Sequence, residues 1–136
     1  MDEQEALEVA QIARNYFLRE TNGDEAQADQ MLSSLVAMVQ EPNIKLVHLE
    51  KVLFLIIVRG QGMVEVHTLA ADIVPADMVD GFKKLAAYLK NIGVKVAYTY
   101  SDDPRFRRIA RQTKLPIKEL KETIDGKETL IYVMEF

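Results

Sequence analysis

A chain of 136 residues, 49% hydrophobic and 28% charged, fits one ordinary globular domain (1–136) that can bury its own core. The absence of cysteine excludes disulfides, thiolate metal sites and a cysteine nucleophile. Net charge is −4 but uneven: residues 1–50 carry −7 and residues 51–136 carry +3, which points to contacts between electrically different surfaces.

The acidic start, MDEQEALEVAQ, has neither the basic nor the apolar region of a signal peptide, so the cytoplasm is the expected location. Residues 4–21 place Ala6, Val9, Ala10, Ala13, Tyr16 and Phe17 at helical spacing, and Asn22-Gly23 is a C-terminal stop. Asp24 is placed to cap a second helix, with Ala28, Met31, Leu32, Leu35, Val36 and Val39 as its stripe and Pro42 as its end. The period then falls to two. IKLVHLEK (44–51) alternates loosely, and VLFLIIV (52–58) is apolar on both faces, as a central, doubly covered strand would be. Seven residues cannot span a bilayer, and no membrane is expected as a partner. RGQG (59–62) superficially echoes a phosphate loop, but it lies between two strands and reads as a hairpin turn before the strand MVEVHTLA (63–70).

Residues 77–92 give the clearest helix, with Met78, Phe82, Leu85 and Leu89 inward and Gly93 closing it. VKVAYTYS (94–101) is the next strand. Asp103 caps and Pro104 opens a helix through RFRRIARQTK, and IKELKETI and TLIYVMEF form a closing hairpin about Asp125-Gly126. The β–α–β unit over 63–101 makes two strands parallel. The fold class is α+β: a mixed, mostly antiparallel sheet with helices on both faces.

Glu65 and His67 are two apart on a strand, so both point to one face, roughly 7 Å apart. An imidazole titrates near neutrality and can act as a general base; otherwise the two are a polar pair on a half-buried face. Tyr98 and Tyr100 share one strand face and read as packing side chains with hydrogen-bonded tips. Arg105, Arg107, Arg108, Arg111 and Lys114 make the last helix a five-charge element. It could meet phosphate or an acidic protein surface, including the acidic N-terminal helices of a neighbouring subunit, or stay a solvated face. With only His48 and His67 and no tight carboxylate cluster, no metal site is expected.

The element order, and most specifically MVEVHTLAAD…DMVDGFKKLAAYLKNIGVKVAYTYSDDPRFRRIARQTKLP, resembles the GNAT (GCN5-related N-acetyltransferase) superfamily without its usual first strand. Ser101-Asp102-Asp103 stands where the family often has an Asn, and Leu115-Pro116 replaces Gly-Phe. The small size also resembles GNAT-like proteins of tailed bacteriophages. The resemblance implies a strand along acetyl-CoA, a helix start that holds the pyrophosphate, and a carboxylate or water relay that takes the amine proton. On this chain these map to Val66 and Leu69, to Ala76, Asp77, Met78 and Val79, and to Glu65 or His67. In place of the family's (Q/R)xxGxG/A loop stands AADIVPAD, with no glycine and no arginine. Pro75 lacks an N–H donor, Asp72, Asp77 and Asp80 would repel phosphate, and Asp77 is expected to occupy the amides itself as an N-cap. The family's acid Tyr has no counterpart in the helix 104–114.

Two functions of different class follow. In the first, the anion site is degenerate: the protein binds no cofactor and acts through protein contacts or self-association, in the cytoplasm or, if phage-encoded, in a virion during assembly. The alternative is a divergent N-acetyltransferase that takes acetyl from acetyl-CoA to an amine. Nucleic acid ranks third as a partner.

Overall fold

The computed structural model describes residues 2–71 and 73–136. In chain order the elements are α1 (Glu3–Glu20), α2 (Glu25–Met38), β1 (Ile44–Leu49), β2 (Val52–Gly60), β3 (Met63–Leu69), α3 (Pro75–Asn91), β4 (Val96–Ser101), α4 (Pro104–Gln112), β5 (Ile117–Ile124) and β6 (Lys127–Glu135). The strands form one sheet in the order β1-β2-β3-β4-β6-β5, and only β3 and β4 run parallel. This is the α+β architecture expected from the sequence. Among the described residues no helix is long and apolar enough to cross a membrane.

β2 carries the core on both its faces. Leu53, Leu55 and Ile57 pack with Val9, Ala13, Phe17, Ala28 and Leu35 of α1 and α2. Val52, Phe54 and Ile56 pack with Met78, Leu85 and Leu89 of α3. Each such side chain contributes about 1.5–3 kcal/mol when fully buried. Most of the helix stripes predicted from spacing are buried, but Ala6, Ala10 and Val36 lie at their margins and are exposed. An aromatic chain ties the second layer together: Phe54 to Phe82 at 5.4 Å, Phe82 to Phe106 at 5.4 Å, and Phe106 to Tyr132 at 4.8 Å between ring centroids. It runs from β2 through α3 and α4 to β6, and so clamps the two halves of the sheet.

Local signals set the ends. Asp2, Asp24 and Asp103 each cap a helix through a side-chain oxygen. Asn22 and Gly23 take φ of 53° and 86° between α1 and α2. Asp125 and Gly126, at 51° and 77°, close the two-residue β5–β6 hairpin. Two ends differ from expectation. α2 stops at Met38, ahead of Pro42, because Val39 and the turn after it already leave the helix. α4 stops at Gln112, short of Lys114. The Thr113 hydroxyl donates to the Ala110 carbonyl at 2.6 Å and accepts from the Leu115 amide at 3.2 Å, and Lys114 turns left-handed at φ 57°.

Candidate functional site

β3 and β4 pair over three residues only, Met63 with Val96, Val64 with Ala97 and Glu65 with Tyr98. Beyond them β3 stays with β2 as far as Leu69, and β4 stays with β6 as far as Ser101. Each half of the sheet is held by its own antiparallel neighbour and follows its own twist. The sheet therefore parts at the carboxyl ends of its two parallel strands, where open sheets commonly bind ligands. The notch opens into a cleft of about 950 Å³. Tyr16, Arg19 and Glu20 of α1 line it on one face of the sheet, and Met78, Phe106 and Ile109 on the other. The cleft thus connects the two faces.

Glu65 and His67 stand beside this notch on the α1–α2 face, level with Ile57 and Leu55 of β2. The sequence placed them on one face; the structure brings their side chains together, His67 Nε2 to Glu65 Oε2 at 2.5 Å. Two partners were not foreseen from the sequence. The Tyr98 hydroxyl donates to Glu65 Oε1 at 3.1 Å, and an Arg59 guanidinium nitrogen donates to Oε2 at 3.4 Å. Tyr98 reaches Glu65 because the last parallel pair sets them side by side, and Arg59 comes from the stretch that read only as a turn.

The Glu65 side chain is 8% exposed and His67 is 36% exposed, so the imidazole is the accessible member. Burial pulls the Glu65 carboxyl upward, but donors from His67, Arg59 and Tyr98 outweigh it and hold the group below its ordinary 4.5. Burial and the adjoining carboxylate raise Tyr98, which keeps its proton as a donor. An ionised carboxylate can only accept, so His67 donates through Nε2, and in the neutral ring Nδ1 is then the acceptor nitrogen. The His67 ring lies edge-on to Tyr100, 6.1 Å between centroids, and Tyr100 lines the cleft.

The other wall of the notch is the start of α3. Asp77 does not cap it. The helix begins at Pro75 with Val74 as N-cap and no side-chain cap, so Asp77 falls in its third position. Its carboxylate instead meets Lys51 Nζ at 3.3 Å. Pro75 sits at the first helical position, where a missing N–H costs little. Ala76 and Asp80 are exposed, Val79 is half-buried, and Met78 is buried while lining the cleft. Asp72 lies outside the described residues. Val66 and Leu69 send their side chains into opposite cores, so only their backbone is available to a ligand.

The charges of the last helix are divided between two faces, as their helical spacing predicts. Arg107 and Arg111 both donate to Glu119 of β5, at 3.1 Å and 3.0 Å. Arg105 and Arg108 face the cleft, where Asp103 holds Arg105 at 2.9 Å. Lys114 is past the helix end. Helical spacing puts 107 and 111 on one face and 105 and 108 on another, and β5 engages only the first pair.

No family model matches the chain, and no curated protein matches it in sequence. Solved structures match in shape. A probable acetyltransferase of the GNAT family from Chromobacterium violaceum gives a TM-score of 0.59 at 13% identity, over 79% of this chain and 67% of that one. The PaiA N-acetyltransferase from Thermoplasma acidophilum in complex with coenzyme A gives 0.57 at 10% identity, over 100% and 96%. A GCN5-related N-acetyltransferase from Rhodopseudomonas palustris gives 0.51 at 12%, over 100% and 92%. At these identities the likeness shows the fold: the chain has the GNAT fold.

Proposed function

We propose that the protein is a divergent N-acetyltransferase that transfers acetyl from acetyl-CoA to an amine at the β3–β4 notch. The observation that carries this reading is the Glu65–His67 pair beside the gap that joins the two faces of the sheet. A two-substrate transfer needs donor and acceptor to meet end to end, and the notch offers approach from both sides.

The residues present suit the donor in two respects. The first turn of α3 is uncapped by any side chain and turns its positive dipole end to a diphosphate; Pro75 has no N–H and the Asp77 and Met78 amides donate to the Val74 carbonyl, which leaves Ala76 as the amide to meet it. The β4-facing backbone of residues 66–69 has no strand partner in the register of the ladder. When bound, acetyl-CoA supplies an activated carbonyl and a thiolate leaving group. Glu65 fixes the His67 tautomer and orients its ring, and Nδ1 takes a proton from the attacking amine. Tyr100, on the cleft wall, would be the group that protonates the leaving thiolate.

One feature favours the non-catalytic reading, in which the chain acts through surface contacts in an assembly such as a phage particle. Between Ala70 and Asp77 there is no glycine to let phosphate approach and no arginine to hold it. A thiol-release assay with acetyl-CoA and a panel of primary amines and peptide N-termini separates the two. Turnover that His67→Ala lowers about 100-fold or more supports the enzyme. Turnover that does not depend on His67 counts against this site, and no turnover with any amine favours the assembly reading.

A further inference from the structure

β5 is an outer strand of the sheet, with β6 as its single neighbour, and one edge therefore presents unpaired backbone groups. Its sequence, Ile117-Lys-Glu-Leu-Lys-Glu-Thr-Ile124, is charged but not at random. Leu120 at its centre is 53% exposed. We propose that β5 pairs antiparallel with β5 of a second copy about a two-fold axis at Leu120, joining two six-stranded sheets into one.

A two-fold axis at Leu120 sets Lys118 opposite Glu122 of the second copy, Glu119 opposite Lys121, and Leu120 opposite itself. Every charge then meets the opposite sign, and each pair occurs twice. One other two-fold register pairs seven residues of β5: shifting the axis by one residue sets Lys121 against itself and leaves Leu120 opposite Glu122. Like charges directly opposite are destabilising, so self-pairing has one favoured register. Within the chain Lys118 and Lys121 also meet Glu135 and Glu128 of β6, and Glu119 meets Arg107 and Arg111 of α4, so the pairs across the axis add to these contacts. This surface is remote from the Glu65–His67 pair and does not depend on the acetyltransferase reading.

Sedimentation of the full chain over a concentration series should give a dimer of twice the 15.5 kDa chain mass. Lys118→Glu, at an exposed position, should weaken the dimer about tenfold, because two attractive pairs become repulsive. Adding Glu122→Lys should restore it. The chain contains no cysteine, so one can be introduced cleanly. Leu120→Cys should cross-link to its own copy on mild oxidation, whereas Ile124→Cys, about 27 Å from its counterpart in this register, should not. A monomer at all concentrations overturns the proposal. So does a dimer indifferent to the charge swap, or one that cross-links as readily through position 124.

Discussion

His67 and Glu65 meet through their side chains, Nε2 to Oε2 at 2.5 Å, and the carboxylate is the buried member of the pair. The order matters. A buried, ionised acceptor with three donors is an anchor, and the half-exposed imidazole it anchors is the group that can exchange protons with a ligand. Glu65→Gln keeps the shape but can present an N–H to His67, which then must turn its proton to Nδ1. Activity should fall about 100-fold or more, with the fold and the binding of donor little changed. Steady-state kinetics on both variants check this: equal losses for Glu65→Gln and His67→Ala, with no further loss in the double variant, mark one functional unit.

Stability should fall in acid, and Glu65 should be part of the reason. Its folded pKa lies below its ordinary 4.5, so its contribution is complete above that value and is lost as pH falls through the folded pKa. Glu119, held low by Arg111 and Arg107 against the opposing effect of burial, acts in the same direction. So does Asp103, held low by Arg105. Melting temperature measured from about pH 6 down to about pH 3 should decline, with a shallower decline in Glu65→Gln. An unchanged slope in that variant would mean that the carboxylate cluster contributes nothing to the linkage.

Gly81 lies inside α3, where glycine ordinarily weakens a helix. Here a Cβ would come within 2.7 Å of Val52 Cγ2, and Val52 is fully buried. Gly81→Ala should therefore destabilise by about 1–3 kcal/mol through overpacking, despite alanine's better helix propensity. Denaturant unfolding measures this. Val52→Ala in the same background should recover part of the loss, because it removes the opposing methyls.

Much of this fold could be read from periodicity. β2 was legible because a run of seven apolar residues needs cover on both faces, which six of them have, Val58 at the end being 47% exposed; α3 was legible because Met78, Leu85 and Leu89 recur at helical spacing. The site was half legible. Strand alternation put Glu65 and His67 on one face, but alternation says nothing of what stands across a parallel pair, so Tyr98 was missed as a partner. Arg59 was hidden by its glycine neighbours, which announced a turn. The capping role expected of Asp77 failed for a local reason: with Pro75 opening the helix, the cap position belongs to Val74, whose side chain has no acceptor. Helical spacing already divides the arginines of α4 between two faces; that Glu119 of the following strand engages Arg107 and Arg111 was not legible, because spacing along one helix does not show what stands opposite it.

The account rests on the α3 end of the notch receiving the diphosphate of acetyl-CoA. Calorimetric titration of the purified chain with acetyl-CoA tests that without knowledge of the acceptor. The account predicts saturable binding at one site per chain, a gain of about 2.7 kcal/mol in stability at one hundred times the dissociation constant, and loss of both on Ala76→Glu. No heat and no shift in melting temperature at saturating acetyl-CoA would contradict it, as would binding that Ala76→Glu leaves untouched.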